Sequence, residues 1–184
     1  MKKLAANPDN SQTRPGSGVI LADEVIRRRR DFARELLENA RQHKPVELSK
    51  LLKLHEEKDM MTRASLVETT SFLVMAGKHT KHLVPVLAKC LDSSSPSERQ
   101  HAMRAIAHYA KEGGNISQYA QIIASKRLCD IHADVRFDAS QALQTYMNAE
   151  NAVQVLGYLP ERTMFSDATE LETVRTICRK FTDA

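Results

Sequence analysis

Four arginines recur on one period. Arg63, Arg99, Arg136 and Arg175 are separated by 36, 37 and 39 residues, and the residues after two of them repeat as well. Ala102, Ala105 and Ile106 stand three, six and seven positions beyond Arg99; Ala139, Ala142 and Leu143 stand at the same offsets beyond Arg136. Val174-Arg175 echoes Val135-Arg136. A period of this length means a series of supersecondary units, none of which can bury its apolar face alone, so neighbours must stack.

Apolar spacing fills in the units. Val25, Ile26, Phe32, Ala33, Leu36, Leu37 and Ala40 recur at three- and four-residue steps and predict an amphipathic helix over Ala22–Gln42, at the place where a first unit needs a cap. Pro45–Lys58, with Leu48, Leu51 and Leu52 inward, and Met60–Ala76, ended by Gly77, make the next pair. His82–Asp92 is the next helix, with Pro85 near its start, where a missing N–H is tolerated. Ser95-Pro96-Ser97-Glu98 reads as a capping box with Pro in the first helical position, opening a helix that runs to Lys111 and stops at Gly113-Gly114. Asn115 and Gln118 repeat that cap logic ahead of Ile116–Leu128, and Ala133–Asn148 completes the pair. Asn151–Leu159, a loop over Pro160–Asp167 and a helix from Asp167 or Thr169 through Phe181 form the last unit. Met1 to Leu21 is read as a flexible polar tail, punctuated by Pro8, Pro15, Gly16 and Gly18, and as a docking arm; 22–184 is the folded domain.

The pattern resembles the HEAT-repeat family, in which an apolar helix ending in Leu and Asp leads through a short turn to Val-Arg, two spaced alanines and Leu. Leu83, Pro85, Leu87, Leu91, Asp92, Arg99, Ala102, Ala105 and Ile106 fit it, as do Asp130, Val135, Arg136, Ala139, Ala142 and Leu143. The Arg63 and Arg175 units lack the paired alanines, and the period falls short of the roughly 40 to 47 residues usual for the family. The resemblance implies an all-α fold: an α-solenoid of about four antiparallel helix pairs behind the capping helix. It also implies that Arg63, Asp92, Arg99, Asp130, Arg136 and Arg175 form a structural ladder between units and are not catalytic.

Chemistry-bearing motifs are scarce. There is no Gly-rich phosphate loop and no nucleophile with a base beside it. His79 with His82, and His101 with His108, lack a fixed third ligand, so no metal or other cofactor is expected. Cys90, Cys129 and Cys178 lie in apolar helical stretches without paired spacing and read as buried free thiols. Lys2 and Lys3 precede a polar run where a leader would need an apolar core, so a cytoplasmic location is expected, with no transmembrane segment. Some HEAT-like proteins are enzymes, DNA glycosylases and bilin lyases among them; an enzyme is the remote alternative.

Two surfaces stand out. Counted from each arginine, the equivalent outward positions of the second helices are Glu68 and Phe72, Arg104 and His108, and Gln141 and Thr145, with Met75 one turn past Phe72. Their changing character suits a shaped protein partner better than a phosphate backbone, which asks for one basic stripe. The expected function is therefore that of a non-catalytic adaptor, scaffold or subunit of a larger assembly. The alternative is a nucleic-acid or anionic-surface binder led by Arg27, Arg28, Arg29 and Arg30. Those four sweep through more than a full helical turn, and pairing with Asp23, Glu24, Asp31 and Glu35 is the competing account of them. The net charge of +4 is mild for a nucleic-acid binder.

Overall fold

The computed structural model describes residues 17–161 and 169–182, with side chains from Asp23 onward. The tail assigned to 1–21 therefore lies largely outside the described residues, and its last five positions are helical: α1 spans Ser17–Arg41, starting ahead of the predicted Ala22. Then come α2 (Leu48–Leu52), α3 (Met60–Met75), α4 (Thr80–Cys90), α5 (Pro96–Lys111), α6 (Ser117–Lys126), α7 (Ala133–Tyr146), α8 (Ala152–Tyr158) and α9 (Thr169–Thr182). No strand occurs among the described residues, and the protein is all-α.

The odd-numbered helices form one row. α1 packs on α3, α3 on α5, α5 on α7 and α7 on α9. Helices α2, α4, α6 and α8 pack against that row, each beside the next helix in the chain. Within the row the direction is constant: Gln100 on α5 reaches Asp134 on α7, and four residues on Arg104 reaches Asp138. Ala102, Ala105, Ala139 and Ala142 are fully buried in the core, where their small side chains let neighbouring helices pack closely. In α3 the corresponding places fall to Leu66 and Thr69. Thr69 and its neighbour Thr70 are buried with their hydroxyls donated to the carbonyls of Ser65 and Leu66, so the unit without alanines still buries no unsatisfied oxygen there.

Helix starts obey their caps. Asp59 accepts from the Thr62 amide at 2.9 Å, and Ser95 accepts from the Glu98 amide at 3.5 Å with Pro96 next to it. The expected capping box is relayed rather than closed. Glu98 does not return to the Ser95 amide; it accepts from the Ser93 hydroxyl at 2.6 Å, and Ser93 Oγ accepts from Ser95 N at 3.1 Å.

Two predicted helices are shorter than expected. Pro45–Lys58 is only α2 and then a 3-10 turn over Leu54–Glu56, and Ile116–Leu128 is α6 and then a 3-10 turn over Arg127–Cys129. The tighter turn swings Leu54 and Leu128 into the core, while Leu52, expected inside, is 42% exposed. Helix α4 begins two residues early, which puts Pro85 at its sixth position, on the exposed side, where the carbonyl of Lys81 loses its helical donor. Of the cysteines, Cys90 and Cys178 are buried and Cys129 half-buried, all free, and burial pushes the Cys90 thiol up to about 12.

The arginines tie the row together. Arg63 donates through Nε to Glu98 at 2.8 Å and through Nη1 to the Glu57 carbonyl at 3.3 Å. Arg99 binds both oxygens of Asp130 and the carbonyls of Ser93 and Ser94. Arg136 lies 3.7 Å from Glu170 and donates to the carbonyls of Asp130 and Ile131. Arg175 donates to the Pro160 and Glu161 carbonyls and pairs with Glu172 on its own helix. Three of the four thus share a rule: the guanidinium closes its own turn through a carbonyl six residues back and reaches a carboxylate of the next unit. Asp92 stands outside the ladder. It pairs with Lys126 at 3.0 Å, both half exposed, and the acidic role beside Arg63 belongs to Glu98.

Candidate partner surface

The solvent side of the row is where the sequence places a partner, and its residues divide. Arg104, Gln141 and Thr145 are exposed. Arg104 lies 3.8 Å from Asp138, and the Thr145 hydroxyl donates to the Gln141 carbonyl at 3.0 Å. Glu68 is half-buried and accepts from Arg41 Nη2 at 2.8 Å, an inter-helix pair between α1 and α3. His108 is half-buried, and its Nδ1 has no hydrogen-bond partner among the described residues. Phe72 and Met75 are half-buried and pack against the edge of the hydrophobic core.

Two residues missed by that count complete the face. Met61 on α3 is 54% exposed and Phe137 on α7 is 57% exposed. Met61 lies one helical step from Ser65 and two from Glu68, and Phe137 lies one step from Asp134 and from Gln141, so each belongs to the stripe already named on its helix. The signal was available: an apolar residue two before Arg63 and one after Arg136 sits on the same stripe as the positions five beyond each arginine.

Polar links stitch this face from α1 to α7. Between Arg41–Glu68 and Arg104–Asp138 stands His101, half-buried, whose imidazole is pushed below its ordinary value by burial, with Glu68 pulling the other way and Arg104 adding to the push. Burial raises the Asp138 carboxyl, against the pull of Arg104. A buried link of the same kind lies beneath: Ser71 Oγ donates to the His101 carbonyl at 2.8 Å.

The arginine run faces carboxylates, with Arg27 and Arg28 largely exposed on their own helix and Arg30 bound across to the start of α3. Arg27 and Arg28 pair with Glu24, Arg29 lies 3.6 Å from Glu57, and Arg30 grips Asp59 with both oxygens engaged, at 3.0 and 2.6 Å. Asp31 goes to Arg34, outside the run. Arg30 stands 33 residues before Arg63 and is a further rung of the ladder. Its hydrogen bonds hold the Asp59 carboxyl far below the usual carboxylate range, with the Thr62 hydroxyl and amide helping.

Among the described residues no three His, Cys, Asp or Glu side chains are grouped so as to hold a metal ion, and no helix is long and apolar enough to cross a membrane. No family model, curated protein or solved structure matches the chain.

Proposed function

We propose that the chain is an α-solenoid of four HEAT-like helix pairs behind a capping helix, and that it acts as a non-catalytic adaptor or assembly subunit whose partner is a protein. The observation that carries this reading is the solvent side of the row: Met61 and Phe137, large, apolar and more than half exposed, stand on α3 and α7 with Arg104 on the helix between them. Exposed apolar side chains set among charged and amide groups are what a protein interface offers, with an apolar anchor and polar neighbours that fix register.

The alternative of phosphate binding through Arg27–Arg30 draws less support, because each of those guanidinium groups already faces a carboxylate. The test is a triple substitution, Met61→Ser, Phe137→Ser and Arg104→Glu, in chain purified from its own cells with and without nuclease. The expected result is an unchanged melting temperature and loss of a stoichiometric protein that the wild type retains after nuclease. Recovery of nucleic acid in place of protein overturns the reading.

A further inference from the structure

A small groove opens between the α1–α2 turn and the α3–α4 turn, at the edge of the molecule where the row helices end. Its volume is about 210 Å3, with Val46, Leu48 and Leu73 as an apolar lining and His43, Lys44, Lys78 and His79 around them. No carboxylate lines it, and the chain from Ala76 to Leu91 contains no Asp or Glu at all. The cations of the ladder are matched by carboxylates, whereas Lys44 and Lys78 have no ion-pair partner among the described residues.

Basic residues just past helix C-termini are ordinarily explained by the negative end of the helix dipole and its unpaired carbonyls. That account is incomplete here. At the end of α1 the Lys44 amide bonds the Asn39 carbonyl and the His43 amide bonds that of Ala40; at the end of α3 Lys78 bonds Leu73 and Gly77 bonds Val74. The backbone has satisfied those carbonyls itself, and the lysine side chains remain available. The two histidines stand at φ 58 and 54, the left-handed region, which L side chains adopt at a cost and which concentrates where function retains it.

We propose that this groove binds an acidic segment of a partner polypeptide, one apolar side chain seated on Val46, Leu48 and Leu73 and the flanking carboxylates held by Lys44 and Lys78. The inference deepens the adaptor reading and rests on it. A nucleic-acid backbone fits less well: it has no apolar group for the lining, and its affinity comes from many cations along a track, not from a cleft the size of one or two side chains.

The test is fluorescence anisotropy of the full chain with three labelled probes: the peptide Asp-Leu-Glu-Asp-Leu-Glu, its neutral counterpart Asn-Leu-Gln-Asn-Leu-Gln, and a short duplex DNA. The acidic peptide binds the wild type at low salt. Its affinity falls about tenfold or more in Lys44→Gln/Lys78→Gln, about the same for the neutral peptide on wild type, and less for Val46→Ser. The charge-keeping Lys44→Arg/Lys78→Arg retains binding and shows that the loss is not one of folding. An affinity unmoved by the Gln pair, absence of acidic-peptide binding, or a duplex that binds more tightly than the peptide through the same lysines overturns the proposal. None of these variants touches Met61, Arg104 or Phe137, so failure here is separable from failure of the adaptor reading.

Discussion

Arg99 holds Asp130 with two parallel hydrogen bonds, Nε to Oδ2 at 2.7 Å and Nη2 to Oδ1 at 2.9 Å, joining α5 to the corner that leads into α7. The side chains are 11% and 2% exposed. Burial pushes the Asp130 carboxyl up, and the Arg99 bonds, the His132 amide and the charges of Arg99 and Arg127 bring it below its ordinary value. Arg99→Ala strands a buried carboxylate with Arg127 as its one remaining cation, and is expected to cost about 3 kcal/mol. Arg136→Ala, whose carboxylate lies at 3.7 Å, is expected to cost about 2 kcal/mol. Urea denaturation reads both, and a wild-type midpoint for Arg99→Ala refutes the ladder as a source of stability.

His43 occupies the left-handed residue that ends α1, the place taken after α3 and α5 by Gly77 and Gly113 at φ 70 and 82. A side chain in that conformation is disfavoured by about 1 kcal/mol or somewhat more, so His43→Gly should raise stability by about that amount. A lowered thermal midpoint would show that the imidazole makes a contact of greater worth than the strain.

Two other glycines should respond in opposite directions. A Cβ at Gly114 would lie 2.4 Å from the Tyr109 ring, so Gly114→Ala forces the ring off its seat and is expected to destabilise by about 1–3 kcal/mol. A Cβ at Gly157, inside α8, meets nothing within 4 Å, and Gly157→Ala is expected to stabilise by about 0.5–1 kcal/mol. Thermal melts of the pair side by side check the local packing at both sites.

Mild acid should weaken the fold through two histidines. Burial is the largest influence on His55 and on His101, and both imidazoles lie below their ordinary value in the folded chain. A histidine lowered by folding contributes stability that is complete above its unfolded pKa of about 6.5 and is lost as pH falls through that value and on toward the folded one. The urea midpoint should therefore drop between pH 7.5 and pH 5.5, by about as much as the His55→Gln/His101→Gln chain fails to drop. Asp59 acts in a different window: its carboxyl is depressed, so its contribution is complete above its unfolded pKa of about 4 and is lost progressively as pH falls below that value. A double variant as sensitive to mild acid as the wild type refutes the assignment.

Helix positions were largely legible because punctuation and periodicity agree. Asp59, Pro96 and the Gly77 and Gly113 stops bound α3 and α5 within a residue of where sequence reasoning put them. The 3-10 turns were not legible, since Leu51, Leu52 and Leu54 fit a helical stripe about as well as the tighter turn that the core selects. Arg30 was hidden as a rung because its three arginine neighbours suggested a solvated run; the residue that separates it is Asp59, 29 positions away in the chain. Asp92 matched a family pattern at the level of sequence, yet side-chain direction at the end of α4 sends it to Lys126. Phe72 and Met75 sit at the border of the stripe counted from Arg63, half-buried, because large apolar side chains at the edge of a helix face also reach the core beside it.

Three carboxylates of the ladder keep a second partner close by in sequence. Asp59 also caps α3 through Thr62, Glu98 also holds Ser93, and Asp130 also holds Arg127 and the His132 amide. On the cationic side Arg63, Arg99 and Arg136 each retain a carbonyl six residues back. Peeling α1 away from α3, or α9 away from α7, therefore leaves the ladder charge at the new edge, Asp59 or Arg136, with local bonds that persist. Failure of an outer helix pair is then a confined event: the row can fray from either end and re-seal with its remaining ladder charges still bonded, and a truncated chain is expected to melt as a shorter version of itself instead of collapsing.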